Sequence, residues 1–197
     1  MIYLVGAGPG NPKYLTTEAI EIIQQVETVI AFGRIAEAVE KLASRIIQVK
    51  RVDEVGHYVS ISTQPIAILA SGDPGFYGIL EYLKKRHIPV DRVAPGISSF
   101  QYMMARLKKS WHHARFISLH GRNGDLASIK AYSLTVILTD THNTPNSIST
   151  RLQGLGLEGR VYVGYNLSYD DEVILDVRIG DEIEERDALA VVVVEQR

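Results

Sequence analysis

Three short turns rich in glycine and proline hold the residues best suited to binding a ligand. They are residues 6–11 (GAGPGN), 71–75 (SGDPG) and 95–99 (PGISS), and each follows a run of apolar residues. Glycine permits close backbone approaches that a side chain would block, and proline fixes the shape of a turn. Ligands of α/β proteins bind at the carboxyl ends of parallel strands. The three turns therefore predict one wall of a ligand cleft.

The second turn carries a carboxylate with two possible roles. Asp73 could accept a hydrogen bond from a bound hydroxyl or amine, or it could cap a helix predicted to begin near Phe76. Ser98 and Ser99 of the third turn have the same double interpretation, as ligand contacts or as the N-cap of the following helix. Both interpretations stay open at this point.

The first turn matches the dinucleotide fingerprint G-x-G-x-x-G incompletely. Asn11 stands at the last glycine position, and Pro9 removes a backbone donor that a pyrophosphate would use. No acidic residue ends the second predicted strand, where a ribose partner would lie. The sequence also lacks G-x-S-x-G and G-x-x-x-x-G-K-[ST], which disfavours a hydrolase triad and a P-loop.

The elements that position these turns follow from the hydrophobic pattern. Strands are predicted at residues 2–6, 28–32, 46–49, 66–70, 90–94, 114–119, 134–139, 160–165, 172–177 and 189–194. Helices are predicted at residues 16–27, 34–43, 76–87, 98–108, 124–131 and 144–153. Alternation in the first half predicts a largely parallel sheet with helices on both faces. The closely spaced last strands predict antiparallel pairing in a mixed sheet. We therefore predict an α/β protein with lobes at 1–110 and 111–197.

Composition narrows the class of protein further. The chain has no cysteine, so disulfides and thiolate metal sites are excluded. His112 and His113 are adjacent and would point apart on a helix, so no metal site is predicted. No segment approaches the roughly 20 apolar residues of a membrane span, and the N-terminal residues predict a strand rather than a signal peptide. We expect a soluble, cytoplasmic protein.

Charge is unevenly distributed along a chain of net charge −2. Residues 92–124 contain six Lys or Arg and no acid, whereas residues 170–187 contain nine acids. The basic segment predicts an anionic ligand rather than duplex nucleic acid. The alternative, a solvated helix face, stays open.

Taken in order, the motifs GxGPG, SGDPGFYG (71–78) and PGISS resemble those of the tetrapyrrole methylases. The resemblance covers nearly the whole chain. It implies enzymes that use S-adenosylmethionine, with two α/β lobes and a ligand trough between them. The segments SLHGR (118–122) and NLSY (166–169) further resemble members that methylate carbon 5 of a corrin precursor, cobalt-precorrin-7 or precorrin-6Y, in cobalamin biosynthesis. A fused decarboxylating methyltransferase, present in some relatives, is not expected here.

The resemblance also implies which residues contact the methyl donor. In the first lobe they are Pro9, Gly72, Asp73, Phe76, Ser98 and Ser99. In the second lobe they are Leu138, Thr139, Asn166, Leu167 and Ala190. A homodimer is implied as well.

The implied substrate is a polycarboxylate, which calls for cations in the cleft. Arg122 is the first choice for a carboxylate partner because its planar guanidinium can bind in a bidentate manner. Arg106 and His120 are further candidates for substrate binding. His120, Asp140 and Tyr165 are candidates for moving a proton, although methyl transfer itself requires no strong acid or base. No protein-bound metal is expected, because any cobalt would arrive within the substrate.

Two other functions stay open. One is a methyltransferase of the same family that acts on another precorrin, an rRNA ribose or diphthamide, the modified protein histidine. The other is a non-catalytic protein that binds a tetrapyrrole or a nucleotide and delivers it to a partner.

Overall fold

The computed structural model describes residues 1–119, 124–187 and 189–197. These residues form two compact units, Met1–Ser99 and Phe100–Arg197. The predicted lobe boundary at residues 110 and 111 stays a prediction. The first unit contains β1 (Ile2–Gly6), α1 (Thr17–Gln25), β2 (Thr28–Phe32), α2 (Gly33–Ala38), β3 (Ile46–Val49), α3 (Glu54–Ile61), β4 (Ile66–Ala70), α4 (Leu80–Lys85) and β5 (Arg92–Ala94). The rest of the described chain contains α5 (Ser99–Leu107), β6 (Arg115–Ser118), β7 (Leu134–Leu138), α6 (Pro145–Gly154), β8 (Gly159–Tyr165), β9 (Val173–Arg178) and β10 (Ala190–Gln196). Short 3₁₀ helices cover Pro12–Tyr14 and Leu126–Ala131.

The sheet of the first unit is wholly parallel, in the order β3-β2-β4-β1-β5. Because successive side chains of a strand point to opposite faces, Leu4 and Ile68 pack with α3 and α4, whereas Val5 and Leu69 pack with α1 and α2. Both faces of the central strand β4 are therefore covered, and every residue in it is buried. This arrangement confirms the predicted parallel sheet with helices on both faces.

Helix α1 shows how the sequence specifies one of these covering helices. The Thr16 hydroxyl accepts a hydrogen bond from the backbone N–H of Ala19 at 3.1 Å and so caps the first turn. Ala19, Ile22 and Ile23 then lie on one face and are buried against the sheet.

The sheet of the second unit is mixed, in the order β6-β7-β10-β8-β9. Strands β6 and β7 are parallel, and the other pairs are antiparallel. The last strand, β10, lies in the centre, which explains its continuous valine run because a central strand buries both faces. Val192 and Val194 pack with Ile148 and Leu152 of α6. The predicted mixed sheet is confirmed.

Two predicted helices have different bounds in the structure, and a third helix was not predicted. The helix predicted from residue 76 begins at Leu80, because Tyr77 adopts a positive φ of 52° that a helix cannot contain. Helix α2 is shorter than residues 34–43, and α3 was not predicted. Helix α3 includes Gly56 and several β-branched residues of low helix propensity, and burial of Val55 anchors it to the sheet. Within the described ranges, no helix is long and apolar enough to cross a bilayer.

Candidate functional site

The three glycine-rich turns meet at the carboxyl edge of the first sheet. Strands β4, β1 and β5 are neighbours, so the turns that follow them are neighbours as well. Gly8 and Gly72 form an antiparallel bridge, in which the Gly72 N–H donates to the Gly8 carbonyl at 2.8 Å and the Gly8 N–H donates to the Gly72 carbonyl at 3.3 Å. We call these turns, residues 6–11, 71–75 and 95–99, the three-loop edge.

Contact between the loops explains why glycine occupies several of these positions. A Cβ atom placed on Gly6 would lie 2.5 Å from the Gly96 nitrogen, and one on Gly96 would overlap the Gly72 carbonyl. Gly8 and Gly72 also have positive φ angles of 73° and 66°, a conformation that glycine adopts without strain. The glycines therefore allow the backbone of each loop to lie directly against the next.

Asp73 fastens two of these loops together. One carboxylate oxygen accepts the Gly75 N–H at 2.8 Å, and the other accepts the Gly96 N–H at 3.2 Å. The first bond is the local turn bond expected of an aspartate, two residues along the chain. Asp73 does not cap α4, which begins after Ile79 without a side-chain cap. No ion pair among the described residues includes Asp73.

The other predicted donor contacts of the first unit surround the same edge. Pro9 is buried. Ser98 is 3% exposed, and its Cα would lie 3.4 Å from a Cβ on Gly72. Ser99 is the first residue of α5, and Phe76 makes an edge-to-face contact with Tyr77. Their assignment as donor contacts stays a prediction.

The first sheet also has a groove at its opposite edge. It has a volume of about 230 Å³ and lies at the amino ends of β2 and β4, where Thr28, Tyr58 and Ile66 contribute to its lining. Among the described residues, none of those predicted to bind a ligand lines this groove.

The predicted donor contacts of the second unit also share one edge. Leu138 and Thr139 lie at the carboxyl end of β7, Asn166 and Leu167 follow β8, and Ala190 begins the antiparallel strand β10. The Thr139 hydroxyl donates to the Ala190 carbonyl at 3.0 Å and accepts the Ala190 N–H at 2.7 Å. These two buried hydrogen bonds fix the end of β7 to the start of β10.

Two candidates for proton transfer are held by structural contacts. Asp140 accepts hydrogen bonds from the backbone N–H groups of His142 and Asn143, at 2.9 and 2.7 Å. Tyr165 is fully buried, and its hydroxyl donates to the Glu184 carbonyl at 3.4 Å. Burial raises the pKa of this hydroxyl, so it stays protonated. Neither group is identified as a base by its surroundings. His120, the third candidate, lies outside the described residues, as does Arg122.

Several cations of the basic segment are paired with carboxylates. Arg106 donates to Glu172 at 2.9 Å, and Lys109 contacts both carboxylate oxygens of Glu195 at 2.9 Å. Arg92 pairs with Glu18 at 2.5 Å. The sequence did not predict Glu172 and Glu195 as the partners of Arg106 and Lys109. The two partners lie 66 and 86 positions apart along the chain, and no local pattern marks such pairs.

A parallel sheet with a glycine-rich carboxyl edge, followed by a mixed sheet, defines the class of this protein. The sequence profile described as Tetrapyrrole (Corrin/Porphyrin) Methylases matches residues 1–181. The chain belongs to that family and is a methyltransferase that depends on S-adenosylmethionine.

Three similar proteins span nearly the whole chain. The probable cobalt-precorrin-7 C(5)-methyltransferase of Methanocaldococcus jannaschii is 31% identical over 88% of this chain and 87% of its own. The crystal structure of the precorrin-6Y methylase of Archaeoglobus fulgidus superposes with a TM-score of 0.76 at 25% identity, covering 100% and 98% of the two chains. The uroporphyrin-III C-methyltransferase of Thermus thermophilus, complexed with S-adenosylhomocysteine, has a TM-score of 0.80 at 21% identity, covering 98% and 96%. The predicted fold class and family are confirmed.

Proposed function

We propose that this protein transfers the methyl group of S-adenosylmethionine to carbon 5 of a corrin precursor in cobalamin biosynthesis, either cobalt-precorrin-7 or precorrin-6Y. The observation that carries the proposal is the similarity to a probable cobalt-precorrin-7 C(5)-methyltransferase, which extends over nearly the full length of both chains. The similarity to a precorrin-6Y methylase structure supports a corrin precursor as the substrate.

The three-loop edge is our proposed site for part of the methyl donor. Its backbone is locked by the Gly8–Gly72 bridge and by the bond from Gly96 to Asp73. The half-buried Asp73 carboxylate has lone pairs left to accept a further hydrogen bond from an ammonium or ribose hydroxyl group. These features fit a ligand that carries both groups. Pro9, Gly72, Phe76, Ser98 and Ser99 would complete this part of the site.

The edge of the second sheet would hold other parts of the donor through Leu138, Thr139, Asn166, Leu167 and Ala190. The bonds between Thr139 and Ala190 support this assignment, because they set the positions of neighbouring backbone groups before a ligand arrives. Such preorganisation lowers the cost of ordering a binding site.

The chemistry requires alignment more than acid or base catalysis. The donor, when bound, supplies a methyl group already activated by its positive sulfur. The protein must hold that group and the ring carbon in line at about 3–3.5 Å, and positioning of this kind can contribute roughly 7–11 kcal/mol. Loops fixed to one another by backbone contacts are suited to this task because they lose little freedom on binding.

Substrate carboxylates require cationic partners. We propose Arg122, with His120, for this role on the grounds of residue type and neighbouring glycines. Arg106 can bind a substrate carboxylate only while its guanidinium also pairs with Glu172. A homodimer and a cytoplasmic location belong to the same proposal, and light scattering on the purified protein would test the dimer.

The proposed reaction can be tested by incubating the protein with S-adenosylmethionine labelled with ¹³C in its methyl group. Cobalt-precorrin-7, precorrin-6Y and uroporphyrinogen III would be supplied separately. We expect one labelled methyl at carbon 5 of one or both corrin precursors, located by NMR. Labelling of uroporphyrinogen III alone would contradict the proposal and favour another methylase of the family. Binding of a tetrapyrrole without any transfer would favour the carrier function.

A further inference from the structure

The loop after β8 has an unusual backbone. Asn166 and Ser168 both adopt positive φ, at 45° and 76°, although neither is glycine. Such conformations persist only where the surrounding structure enforces them, and they occur often at binding sites. The loop contains Asn166 and Leu167, two of the residues proposed to contact the donor. The contacts that enforce the conformation of this loop therefore matter for ligand binding at the site.

Glu172, the last residue before β9, reaches back to this loop. Its carboxylate accepts the Ser168 N–H at 2.8 Å, directly at one of the strained residues. Two further bonds lie within the loop: the Asn166 side chain donates to Asp171 at 2.8 Å, and the Tyr169 N–H donates to the Asn166 carbonyl at 3.0 Å. The Glu172 side chain also makes contacts outside the loop.

That side chain is anchored to helix α5. Arg106 donates to Glu172 through its Nε at 2.9 Å, and the Tyr102 hydroxyl donates to the same carboxylate. Tyr102 and Arg106 are four residues apart and so share one face of the helix. The Glu172 side chain is only 13% exposed, which protects these bonds from competing water.

Apolar packing supports the same junction. Met103 lies beside Tyr102 in α5 and is fully buried. A Cβ on Gly164 would lie 2.5 Å from the Met103 sulfur and 2.7 Å from a methyl carbon of Leu167. The glycine therefore allows helix and loop to pack closely at the end of β8. Burial by itself would raise the pKa of Glu172, but the bonds from Tyr102, Ser168 and Arg106 outweigh it and lower that pKa, so the carboxylate stays charged.

We propose that Glu172 is a positioning residue, which holds the loop of residues 166–172 in the conformation that receives the ligand by joining it to helix α5. The expected effect on ligand binding rests on the proposed function, because that function assigns Asn166 and Leu167 to the donor site. It also gives Arg106 a positioning role through Glu172.

Hydrogen exchange of the Ser168 amide is the direct test, because this N–H donates to Glu172. We expect Glu172→Ala to accelerate its exchange by roughly tenfold or more, the effect of losing one charge-assisted hydrogen bond. Glu172→Gln keeps an acceptor oxygen, so its rate should lie between those of the wild type and the alanine variant. Asp176→Ala is the matched control, because it removes a carboxylate of β9 that pairs with Arg160 and does not contact the loop. Equal exchange in wild type and Glu172→Ala, or an equal change in Asp176→Ala, would overturn the proposal.

The consequence for binding is measured with S-adenosylhomocysteine as the probe. Glu172→Ala should weaken its affinity by roughly tenfold to a hundredfold, Glu172→Gln by less, and Asp176→Ala by less than about twofold. If the alanine variant does not fold, Glu172→Gln and Arg106→Lys provide the same comparison. Should the wild type itself bind no S-adenosylhomocysteine, the proposed function fails, and amide exchange still decides whether Glu172 fixes the loop. Faster exchange with unchanged affinity would overturn the link to the donor site.

Discussion

The carboxylate of Asp73 accepts a hydrogen bond from the backbone N–H of Gly96, 23 residues further along the chain, at 3.2 Å. The same side chain accepts the Gly75 N–H at 2.8 Å. One aspartate thus connects the loop after β4 to the loop after β5, while a backbone bridge connects the loop after β4 to the loop after β1. Asp73 therefore has a structural role in addition to its proposed contact with the donor.

This double role gives two different expectations for two variants of Asp73. Asp73→Ala removes the acceptor of both backbone bonds and should lower the free energy of unfolding by about 1.5–3 kcal/mol. Asp73→Asn keeps one carbonyl oxygen and should lower it by about 1 kcal/mol or less. Urea denaturation followed by circular dichroism measures both. Equal stability of the alanine variant and the wild type would contradict the structural role.

Close contact of the loops predicts a large effect of one added methyl group. Gly96→Ala would place a Cβ against the Gly72 carbonyl and the Gly6 backbone, so we expect a loss of about 3 kcal/mol or more, or failure to fold. Gly154→Ala is the matched control, since a Cβ on Gly154 at the end of α6 meets no atom within 4 Å. It should be neutral or slightly stabilising. Thermal unfolding of the two variants side by side gives the comparison, and similar melting temperatures would refute the packing argument.

Two buried threonines, Thr135 in β7 and Thr139 directly after it, should respond differently to the same substitution. The Thr139 hydroxyl accepts the Ala190 N–H, so Thr139→Val leaves that buried donor without a partner and should cost about 1–3 kcal/mol of stability. The Thr135 hydroxyl is buried without a hydrogen-bond partner among the described residues. Thr135→Val should therefore be neutral or stabilising by about 1 kcal/mol. Chemical denaturation distinguishes the two, and destabilisation by Thr135→Val would show that its hydroxyl is satisfied.

The ion pair of Lys109 and Glu195 predicts a defined dependence of stability on pH. The bond from Lys109 lowers the pKa of Glu195 below its ordinary value of 4.5, and the same bond raises the pKa of Lys109 above 10.5. A lowered carboxyl pKa contributes stability that is complete above 4.5 and disappears as the pH falls through the folded-state pKa. The raised pKa of Lys109 gives stability that is present below 10.5 and is lost at higher pH. The pair should therefore contribute fully between these limits.

Glu195→Gln tests this dependence. At pH 7 it should destabilise by about 0.5–1 kcal/mol, since the Glu195 side chain is 40% exposed and solvent screens the pair. The difference in melting temperature between variant and wild type should shrink as the pH falls below 4. A difference that stays constant down to pH 2 would mean that Glu195 does not titrate as the contacts indicate.

Much of the fold could be predicted from the sequence because local signals were strong. The alternation of strand and helix patterns predicted the parallel sheet, and the helical hydrophobic pattern predicted α1, whose Ala19, Ile22 and Ile23 are buried. Helix α3 gave no such signal, because its propensity is weak and packing of Val55, Tyr58 and Val59 against the sheet stabilises it. The start of α4 was misplaced because a positive φ at Tyr77 cannot be recognised from residue type.

The candidate site was predictable in its parts but not in its connections. Glycine, proline and Asp73 identified the loops, whereas their contacts depend on strand order, which brings β4, β1 and β5 side by side. Arg106 and Glu172 come together only once the chain is folded. From the sequence, Arg106 was therefore predicted to be available for binding a substrate carboxylate.

Titration calorimetry with S-adenosylhomocysteine is the most direct test of the central claim, that the three-loop edge binds the methyl donor. We expect saturable binding of about one molecule per chain to the wild type. Asp73→Asn, which should remain folded, should bind roughly tenfold more weakly because it lacks the charge that meets the donor. Unchanged affinity in a folded Asp73→Asn, or no binding to the wild type, would contradict the account.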